Sequence, residues 1–500
     1  MNTRFLRLLS LLLALLTCAG IFSSCGAPAE DRSPESRPEE TVAPETGSGS
    51  DTETERTSRF DELPAADYGE EEFVILTKNI TGSNMWDPLD IYAETMTGDL
   101  VTDAIYERNK MVEEKYRISI RQFDDANYES TVSTSVSTNS TEFDVVDVNL
   151  ITTLGTFATK GYLTDLHTLE GMDLRQSYWD GKVNANIEIR DRLYAAVSEI
   201  TFIDDYATWC LLFNKKRATD VGITPSDLYD LAASGKWTTE DLYDYAEQAL
   251  RDINGDGMDP LDYWGIYTQY EAVNPLLAST GLTAVVRNEQ GELVSNLGSP
   301  ELLDAVEALY EYMSDKTVQL YAEDTGFSDV WNRVKAQFAG GYGLFFIGPV
   351  GNIDLSYLRE MEEEYGILPL PKLDESQEYA TTMQYNNATA VAVLTSTSST
   401  ERAGVILEAM GAASSETLTV AFYEKVLTRK RVRDSESAAM LDLIFRNKVV
   451  DTALLYNWAN IGGMFQRIMK AGSFTYASEA AGIAESFDEA IRTTVEAFGG

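Results

Sequence analysis

The stretch Glu72-Phe-Val-Ile-Leu-Thr77 is a compact run of apolar, β-branched and aromatic residues, and it predicts a buried first strand. Residues 100–116 then carry apolar side chains at helical spacing, and residues 117–123 alternate as a strand. Phe143-Asp-Val-Val-Asp-Val148 predicts the next strand. Strands that alternate with helices at this spacing indicate parallel α/β units.

The same alternation continues to the C-terminus. Thr238 and Asp241 form a predicted capping box at the start of an amphipathic helix. Further strands are predicted at 194–197, 208–213, 343–347, 365–369 and in the apolar segment 388–394. Helices are predicted at about 300–314 and, several of them, between 401 and 498, whereas 131–140 predicts a weak helix or a loop. The apolar content of 44% is sufficient for two α/β lobes.

The N-terminus predicts export and lipid anchoring. A cationic start precedes the apolar run 8–19, which is too short to span a bilayer. Ser23-Ser-Cys-Gly26 follows as a small-residue processing site and resembles a bacterial lipoprotein signal, with Phe22 where that signal usually carries Leu. We expect a signal peptide over 1–24 and acylation of Cys25; ordinary signal cleavage nearby is the alternative.

The composition argues against several classes of function. A net charge of −42 disfavours nucleic acid as a partner, because phosphate binding needs clustered Lys and Arg. The single histidine, His167, lies in a turn-rich segment with no GxSxG motif to accompany it, so neither a His-rich zinc site nor a Ser-His-Asp triad is predicted. Cys210 stands in an apolar run and is expected to be a buried small hydrophobe without a disulfide partner.

Short motifs follow one another in a fixed order along the chain. They are Phe143-Asp-Val-Val-Asp147, Lys160-Gly-Tyr-Leu-Thr-Asp-Leu166, Leu211-Leu-Phe-Asn-Lys-Lys216 with Val221-Gly-Ile223 and Lys236-Trp-Thr-Thr-Glu-Asp-Leu242, Gly341-Tyr-Gly-Leu-Phe-Phe-Ile-Gly-Pro349, and Tyr365-Gly-Ile-Leu-Pro-Leu-Pro-Lys372. In this order they resemble the family 1 extracellular solute-binding proteins of bacterial ABC importers, the group that includes maltose-binding protein. The Pro-x-Thr that this family carries before its Trp is absent here.

The resemblance implies a two-lobed periplasmic-binding-protein fold of type II, an α/β fold with a ligand cleft between the lobes and crossing hinge segments. It implies a first lobe of residues 68–203 with 390–430 and a second lobe of 204–389 with 431–500. The hinges would lie at 199–206, 384–389 and 426–433. Residues 25–67 are polar and acidic, and this composition predicts a disordered linker that begins at the lipidated cysteine.

A sugar cleft needs flat rings against the C–H faces of a pyranose, and amides and carboxylates for its hydroxyls. Residues of these types follow predicted strands, occupy crossing segments or stand at the Gly-Pro helix start, where free N–H groups can receive an oxygen. The candidates are Asn84, Trp86, Asp87, Asn149, Ile151, Thr152, Tyr206, Trp209, Tyr267, Gln269, Tyr270, Gly348, Val350, Tyr385, Asn386, Asn387, Tyr456, Asn457 and Trp458. For every aromatic among them, packing in the core is the competing interpretation.

One loop resembles the opening of an EF-hand. Asp252-Ile-Asn-Gly-Asp-Gly-Met-Asp259 places Asp252, Asn254 and Asp256 at alternate positions before a Gly turn, a spacing typical of calcium ligands. Tyr263 then stands at the twelfth position, with Asp262 one residue short. Calcium at this loop is one prediction, and a plain Gly-rich turn is the other; no cofactor is required.

The function expected from the resemblance is binding, not catalysis. A monomeric lipoprotein on the outer face of the cell membrane would capture a mono- or oligosaccharide by lobe closure and deliver it to ABC permease subunits. The same fold with a peptide or amine ligand is an alternative. A glycoside hydrolase is a second one, because 81 acidic residues could supply a carboxylate pair, although no acid-pair motif is recognisable.

Overall fold

The computed structural model describes residues 58–78, 91–354, 356–427 and 435–499. Thr57–Gly500 form one compact unit that contains two separate β-sheets and a short hairpin. The signal segment, Cys25, most of the predicted linker, and the candidates Asn84, Trp86 and Asp87 lie outside the described residues. The lipidation of Cys25 and the roles of these three candidates therefore stay predictions.

The first sheet has four strands in the order β11-β3-β1-β2. Strands β1 (Glu71–Lys78), β2 (Ile118–Asp125) and β3 (Val145–Asn149) are parallel, and β11 (Thr389–Val393) pairs antiparallel with β3. The predicted first strand is confirmed, and its apolar side chains are buried in the core. The helices on this side are α1 (Arg59–Glu62), α2 (Leu100–Tyr116), α3 (Tyr128–Thr138), α4 (Leu154–Thr159) and α5 (Gly181–Ile187), with a 3-10 turn at Leu166–Thr168.

Local sequence explains how α2 delivers the chain to β2. The Asp99 side chain accepts hydrogen bonds from the backbone N–H groups of Val101 and Thr102 at the N-terminus of the helix. At the other end Arg117 adopts the left-handed conformation with φ of 48°, and β2 begins at the next residue. The predicted helix at 100–116 is confirmed, and 128–138 is a helix where the sequence left a loop open.

The second sheet has five strands in the order β10-β4-β9-β5-β8. They are β4 (Trp209–Asn214), β5 (Trp264–Thr268), β8 (Gln319–Tyr321), β9 (Gly343–Pro349) and β10 (Tyr365–Leu368), while β6 (Val285–Arg287) and β7 (Leu293–Ser295) form the hairpin. β5 is parallel to β8 and β9, and β4 is antiparallel to β9 and β10. Gly343 is required for packing, because a Cβ there would lie 2.3 Å from the Tyr267 ring.

The second sheet is surrounded by helices from the middle of the chain. They are α6 (Ile203–Tyr206), α7 (Lys215–Asp220), α8 (Pro225–Ala233), α9 (Thr239–Gln248), α10 (Val273–Ala278), α11 (Pro300–Met313), α12 (Val330–Ala339) and α13 (Ser356–Glu360), with 3-10 turns at Tyr270–Ala272, Ala322–Asp324 and Val350–Asp354. The predicted capping box of Thr238 and Asp241 is present at the start of α9. Cys210 is fully buried, as predicted, and burial raises the pKa of its thiol.

The C-terminal region is helical. It contains α14 (Thr400–Glu416), α15 (Leu418–Leu427), α16 (Ser435–Arg446), α17 (Thr452–Leu455), α18 (Ile461–Lys470) and α19 (Tyr476–Gly499), with a 3-10 turn at Trp458–Asn460. Thr400–Lys425 is long and apolar enough to cross a membrane by length and composition alone, but 61% of its 18-residue apolar window is buried within the fold, where α14 and α15 pack on α2. The last helix, α19, contacts α4 as well as β7 and α11, so it packs on elements of both sides rather than on the second alone.

Three described segments run side by side between the two sheets. The backbone N–H of Trp209 donates to Thr382 at 2.9 Å, and that of Gln384 donates to Ala207 at 2.9 Å. On its other side the middle segment pairs with 447–449, since Val449 donates to Thr381 at 2.7 Å. The first two of these segments adjoin the predicted hinges 199–206 and 384–389, and most of the third predicted hinge, 426–433, lies outside the described residues. The lobe boundaries stay a prediction.

One predicted strand is not formed. Residues 194–197 carry only an isolated bridge between Ala196 and Val391 at the edge of β11. The apolar run that suggested a strand is nevertheless buried, since Ala195, Ala196 and Val197 are almost inaccessible to solvent. Burial without continuous pairing explains the pattern, because a short apolar run does not distinguish a strand from a buried loop.

Candidate ligand cleft

A cavity of about 430 Å³ lies where β5 and β9 end and the middle crossing segment passes. Its size falls within the range of small-molecule sites, and the carboxyl ends of strands are where open α/β sheets bind ligands. The lining residues come from β5 and the following turn, from β9 and the following turn, from α12, and from the crossing segment. They are Thr268, Gln269, Glu271, Ala322, Asp329, Trp331, Asn332, Val334, Lys335, Phe346, Ile347, Gly348, Pro349, Asn352, Gln384, Asn386 and Asn387.

A chain of amides and one carboxylate forms part of the cavity wall. The side chains of Gln384 and Gln269 both donate to Oε2 of Glu271, at 2.9 and 3.4 Å. Asn387 in turn donates from Nδ2 to Oε1 of Gln384 at 2.7 Å. Burial raises the pKa of Glu271, and the hydrogen bond from Gln384 partly offsets this effect. These bonds join the end of β5 to the crossing segment, so a movement of that segment is coupled to the cavity wall.

The first sheet reaches the cavity through Asn149, at the end of β3. Its Nδ2 donates to the backbone oxygen of Asn386 at 2.9 Å, and its Oδ1 accepts from the backbone N–H of Thr152 at 3.0 Å and from the Thr152 hydroxyl at 2.9 Å. The amide of Asn149 therefore positions the crossing segment and the loop after β3. Thr152 is exposed beside them.

Helix α12 presents a flat ring and a cation to the cavity. Trp331, Val334 and Lys335 all line it, and their spacing of three and four residues places them on one face of the helix. Trp331 is 44% exposed, which is unusual for a tryptophan in this structure. Lys335 is partly buried, and burial lowers the pKa of its ammonium while nearby Asp329 raises it.

Beside Gly348, the cavity wall contains an amide without a partner. Asn352 is 1% exposed, and neither its Nδ2 nor its Oδ1 forms a hydrogen bond to any residue that the structure describes. A Cβ at position 348 would lie 2.5 Å from this Nδ2 and 2.4 Å from the Phe346 ring. Glycine at 348 therefore leaves space for the amide, and a buried amide without a partner is costly unless a ligand or water completes it.

The structure thus brings together several of the sequence candidates. Gln269, Gly348, Asn386 and Asn387 line the cavity, and Asn149 and Thr152 adjoin it. Asn457 lies near Trp458, away from the cavity, in the left-handed conformation. Val350 is buried and donates its N–H to Thr208, so its N–H is not available at the helix start. Ile151 packs against the core.

The aromatic candidates on or near the second sheet lie in the core, which corrects the stacking role predicted for them. Trp209 and Tyr267 are almost completely buried within β4 and β5. Tyr270 stacks on Tyr321 with ring centroids 4.0 Å apart. Tyr385 is buried in the crossing segment, where its hydroxyl contacts Thr382 at 2.7 Å. Each ring therefore packs against protein, the competing interpretation for every aromatic.

Three further rings are also structural. Tyr206 is buried and donates its hydroxyl to Asp354 at 3.0 Å. Tyr456 and Trp458 stack on each other at 5.8 Å, the indole N–H of Trp458 donates to Thr494 at 2.9 Å, and the hydroxyl of Tyr456 donates to Ile187. Both rings are more than nine-tenths buried against α19 and α5. The prediction that Trp458 stacks on a ligand is therefore not supported.

The residues that sequence reasoning missed are Glu271, Asp329, Trp331, Asn332, Lys335, Asn352 and Gln384. A signal for Trp331 existed, because it stands in the polar stretch 324–333 and shares helical spacing with Val334, Lys335 and Phe338. A tryptophan at the start of an amphipathic helix in a polar segment is a candidate for an exposed ring. Asn352 and Glu271 gave no such signal.

A larger concave surface, about 900 Å³, lies between the hairpin and α19. Two of its three arginines already have partners: Arg492 pairs with Glu489 and Glu496, and Arg287 donates to the carbonyl of Glu188 at 2.6 Å. It lies beside α5 and α19 rather than at the ends of the sheet strands. Position and free polar groups therefore favour the smaller cavity as the ligand site.

The calcium-like loop lies apart from the cavity. Carboxylate oxygens of Asp252, Asp256 and Asp262 all lie within 4.8 Å of one another, so the fold adds Asp262 to the ligands expected from the spacing. Backbone N–H groups of Gly255 and Gly257 donate to Asp252 and lower the pKa of its carboxyl. Asn254 donates from Nδ2 to Asp256 at 3.1 Å. These same bonds would form in a plain Gly-rich turn, so calcium here stays a prediction.

Comparison with known proteins agrees with this architecture. The profile of the family described as bacterial extracellular solute-binding protein matches residues 101–415, and the chain belongs to this family. The chain is therefore a solute-binding protein of ABC transporters and not an enzyme. The family is extracellular, which implies export to the periplasm or the cell surface. No curated protein sequence matches the chain.

Solved structures show the same fold at low identity. The sugar-binding protein MalE from Xanthomonas citri is 12% identical with a TM-score of 0.56, and the alignment covers 86% of this chain and 99% of that one. A solute-binding protein from Thermotoga lettingae bound with α-D-tagatose is 14% identical with a TM-score of 0.52, covering 85% and 100%. A binding protein from B. animalis subsp. lactis in complex with β-1,6-galactobiose is 15% identical with a TM-score of 0.52, covering 85% and 98%. The predicted two-lobed binding-protein fold is confirmed.

Proposed function

We propose that the chain captures a mono- or oligosaccharide in the 430 Å³ cavity and delivers it to an ABC permease. The observation that carries the proposal is the half-exposed Trp331 ring on a cavity wall that also offers the amides of Gln269, Asn352 and Asn386. A flat ring favours the C–H face of a sugar, and amides can both donate to and accept from its hydroxyls. Solved relatives with tagatose and galactobiose support this ligand class.

The residues that line the cavity also help to decide between a sugar and the alternative ligands, an amine or a peptide. A cationic amine or polyamine would meet Lys335, a partly buried cation, beside the carboxylates of Glu271 and Asp329, so the wall does not offer the uniformly acidic lining that such a ligand favours. A peptide remains the competing ligand in this fold. A thermal-shift screen of the full chain against sugars, amines and peptides decides between them: sugars should raise Tm, and a response to peptides or amines alone would contradict the proposal.

Delivery requires the protein to stay close to its permease, and we propose that Cys25 provides the anchor through a covalent lipid. The support is the cationic and apolar leader that ends in Ser23-Ser-Cys-Gly26. Cys25→Ala should release the protein from the membrane fraction and remove the mass of the lipid, measured by fractionation and mass spectrometry. The matched control, Cys210→Ser, removes the buried thiol and should leave the protein in the membrane. A Cys25→Ala protein that stays membrane-bound would contradict lipidation at this residue.

A further inference from the structure

Lys335 differs from the other buried or partly buried lysines that the structure describes. Lys448 contacts three carboxylates, Lys372 donates to three backbone carbonyls, and Lys425 lies 3.1 Å from Asp99. Lys335 forms no hydrogen bond and no ion pair with any residue in the described part of the chain, although the protein has 81 acidic residues. Asp329 favours the charged form of Lys335 from a distance but forms no ion pair with it. A partly desolvated cation that no counter-ion contacts is unfavourable in the free protein.

The position of Lys335 indicates which group could pair with its ammonium. It stands one helical turn after Trp331 on the same face of α12, and both side chains line the cavity. Residues four apart on a helix have Cβ atoms about 5–6 Å apart. A sugar ring stacked on the indole therefore holds its exocyclic substituents within reach of the ammonium, which moves on a flexible four-carbon stem.

A second, independent observation indicates an unfilled polar site. Asn352 lines the same cavity from the turn after β9, is 1% exposed, and has neither amide atom satisfied among the described residues. Its NH₂ group can donate to an oxyanion or a hydroxyl, and its oxygen can accept from a hydroxyl. Two groups that are costly in the free protein, on two different elements, thus border one cavity.

We propose that the natural ligand is an anionic sugar whose charged substituent, a carboxylate, a sulfate ester or a phosphate, pairs with Lys335 while its ring stacks on Trp331. This inference rests on the proposed sugar-binding function and narrows it. Lys335 would favour an anionic sugar over a neutral one, because a partly buried cation is stabilised by an anion and gains little from a hydroxyl. Two carboxylates line the same cavity: Glu271 accepts from the amides of Gln384 and Gln269, and Asp329 lies near Lys335 without an ion pair. The more distant charges that make up the net charge of −42 are screened.

The test compares matched ligands on the full chain by isothermal titration calorimetry. One arm uses galacturonate and digalacturonate against their methyl esters, which keep the ring and remove the charge. The other arms use glucose 6-sulfate and glucose 6-phosphate against glucose, so the three sources of the anion are distinguished. The variant is Lys335→Met, which keeps the apolar stem. The control is Lys216→Met, which removes an exposed lysine whose ion pair is with Asp220.

At least one anionic sugar should bind more tightly than its neutral partner, and Lys335→Met should weaken that ligand about 10- to 100-fold while changing the neutral one little. The control should bind as the wild type does. Without ligand, Lys335→Met should melt at the same or a higher temperature, because an unpaired charge is removed. Failure of every anionic sugar to bind, equal binding to the variant, or a lower Tm for the ligand-free variant would overturn the inference.

These outcomes are distinguishable from a failure of the proposed function. Binding of neutral sugars alone, unaffected by Lys335→Met, overturns the anionic ligand and leaves a sugar-binding protein. Binding of peptides alone overturns both. A neutral sugar that binds equally well to Lys335→Met and to the wild type also shows that the cavity of the variant is intact.

Discussion

The crossing segments have two polar regions that are built in opposite ways. On the Lys448 side, the ammonium lies 2.6 Å from Asp204, 2.9 Å from Asp205 and 2.9 Å from Asp180, and its side chain is 7% exposed. On the cavity side, Lys335 and the buried amide of Asn352 have no partner among the described residues. Polar groups that the protein satisfies hold the fold together, whereas unsatisfied polar groups beside open space indicate a ligand.

The Lys448 cluster ties both sides of the molecule to the crossing segments. Asp180 caps α5 beside the first sheet, and Asp204 and Asp205 belong to α6 in the first crossing segment. Burial by itself would lower the pKa of Lys448, but the three carboxylates hold it well above its ordinary value. Burial also raises the pKa of Asp204, to about 7, against the attraction of Lys448. The lysine is therefore charged at neutral pH and is the group that keeps these carboxylates together.

The largest effect is expected from Lys448→Met. Removing one partner of a buried ion cluster leaves uncompensated carboxylates, which typically costs about 3–5 kcal/mol of stability. Urea unfolding at pH 7 measures it, with Lys216→Met as an exposed control that should change stability by less than about 0.5 kcal/mol. The double variant Lys448→Met/Asp204→Asn should recover part of the loss. A loss below about 1 kcal/mol in Lys448→Met would show that the cluster does not hold the fold.

Two tryptophans allow the same comparison between a group that stabilises the fold and a group that is open to a ligand. Trp458 is 4% exposed with its indole N–H bonded to Thr494, whereas Trp331 is 44% exposed at the cavity. Trp458→Ala should cost about 3–5 kcal/mol of folding stability and change ligand affinity only indirectly. Trp331→Ala should leave stability nearly unchanged and weaken a bound sugar by about 2 kcal/mol, roughly thirtyfold.

Both measurements are needed on both variants, by urea unfolding and by calorimetry with a sugar that binds. Trp331→Phe is the matched variant that keeps a smaller ring, and it should retain part of the affinity. If Trp331→Ala binds as tightly as the wild type, the stacking ring has been wrongly identified. If it unfolds more readily by several kcal/mol, the exposed ring has a structural role.

Much of the fold could be predicted from the sequence because it depends on local patterns. The apolar run at 72–77 became β1, and the Thr238 capping box starts α9. Asn386 and Gly348 line the cavity, where strand ends and a crossing segment meet. Trp458 does not line it, because it is buried against α19, which begins 18 residues later in the chain, and its polar neighbours do not reveal this tertiary contact.

The rest of the site depends on packing that sequence spacing does not encode. Asn352 is buried beside Gly348 with no partner among the described residues, and no residue pattern predicts a missing partner. Lys448 looks like any surface lysine until the crossing segments place Asp180 and Asp204 around it. Charged clusters formed by residues far apart in sequence are therefore found only in the folded structure.

The stability of the protein should also depend on pH through Asp451, a carboxylate whose hydrogen bonds come only from backbone groups. Asp451 is buried and accepts from the N–H groups of Ala284 at 2.6 Å and Ala453 at 2.8 Å. Burial raises its pKa to about 6, against these hydrogen bonds. The folded protein therefore holds this proton between pH 4 and 6 while the unfolded chain has released it. Its contribution to stability is present below pH 4 and is lost as the pH rises through about 6.

Asp451→Asn removes this titration and keeps an acceptor at the start of α17. The amide nitrogen of Asn cannot accept from one of the two backbone N–H groups, so the variant should be the less stable protein near pH 4. Its stability relative to the wild type should then rise by up to about 3 kcal/mol between pH 4 and pH 7. Urea unfolding at both pH values gives the difference. A wild type that gains stability relative to the variant between pH 4 and 7 would reverse the sign and show that the backbone donors outweigh burial.

The smallest expected effect concerns the loop whose carboxylates are satisfied by their own backbone. Both oxygens of the buried Asp262 accept backbone N–H groups, from Ile253 and Asp259, and Asp252 accepts from Gly255 and Gly257. Because these carboxylates already have hydrogen-bond partners within the protein, the loop resembles a plain turn. Each carboxylate oxygen nevertheless has lone pairs left for a hard cation.

We predict that calcium at ten times its Kd raises the free energy of unfolding by about 1.4 kcal/mol. Melting in calcium and in chelator measures it, with Asp256→Asn reducing the response and Asp304→Asn, on the exposed surface of α11, leaving it unchanged. Equal Tm values in millimolar calcium and in chelator would show that the loop is a plain structural turn. Carboxylates that have partners within the protein would then stabilise the fold without a ligand, as we infer for Lys448.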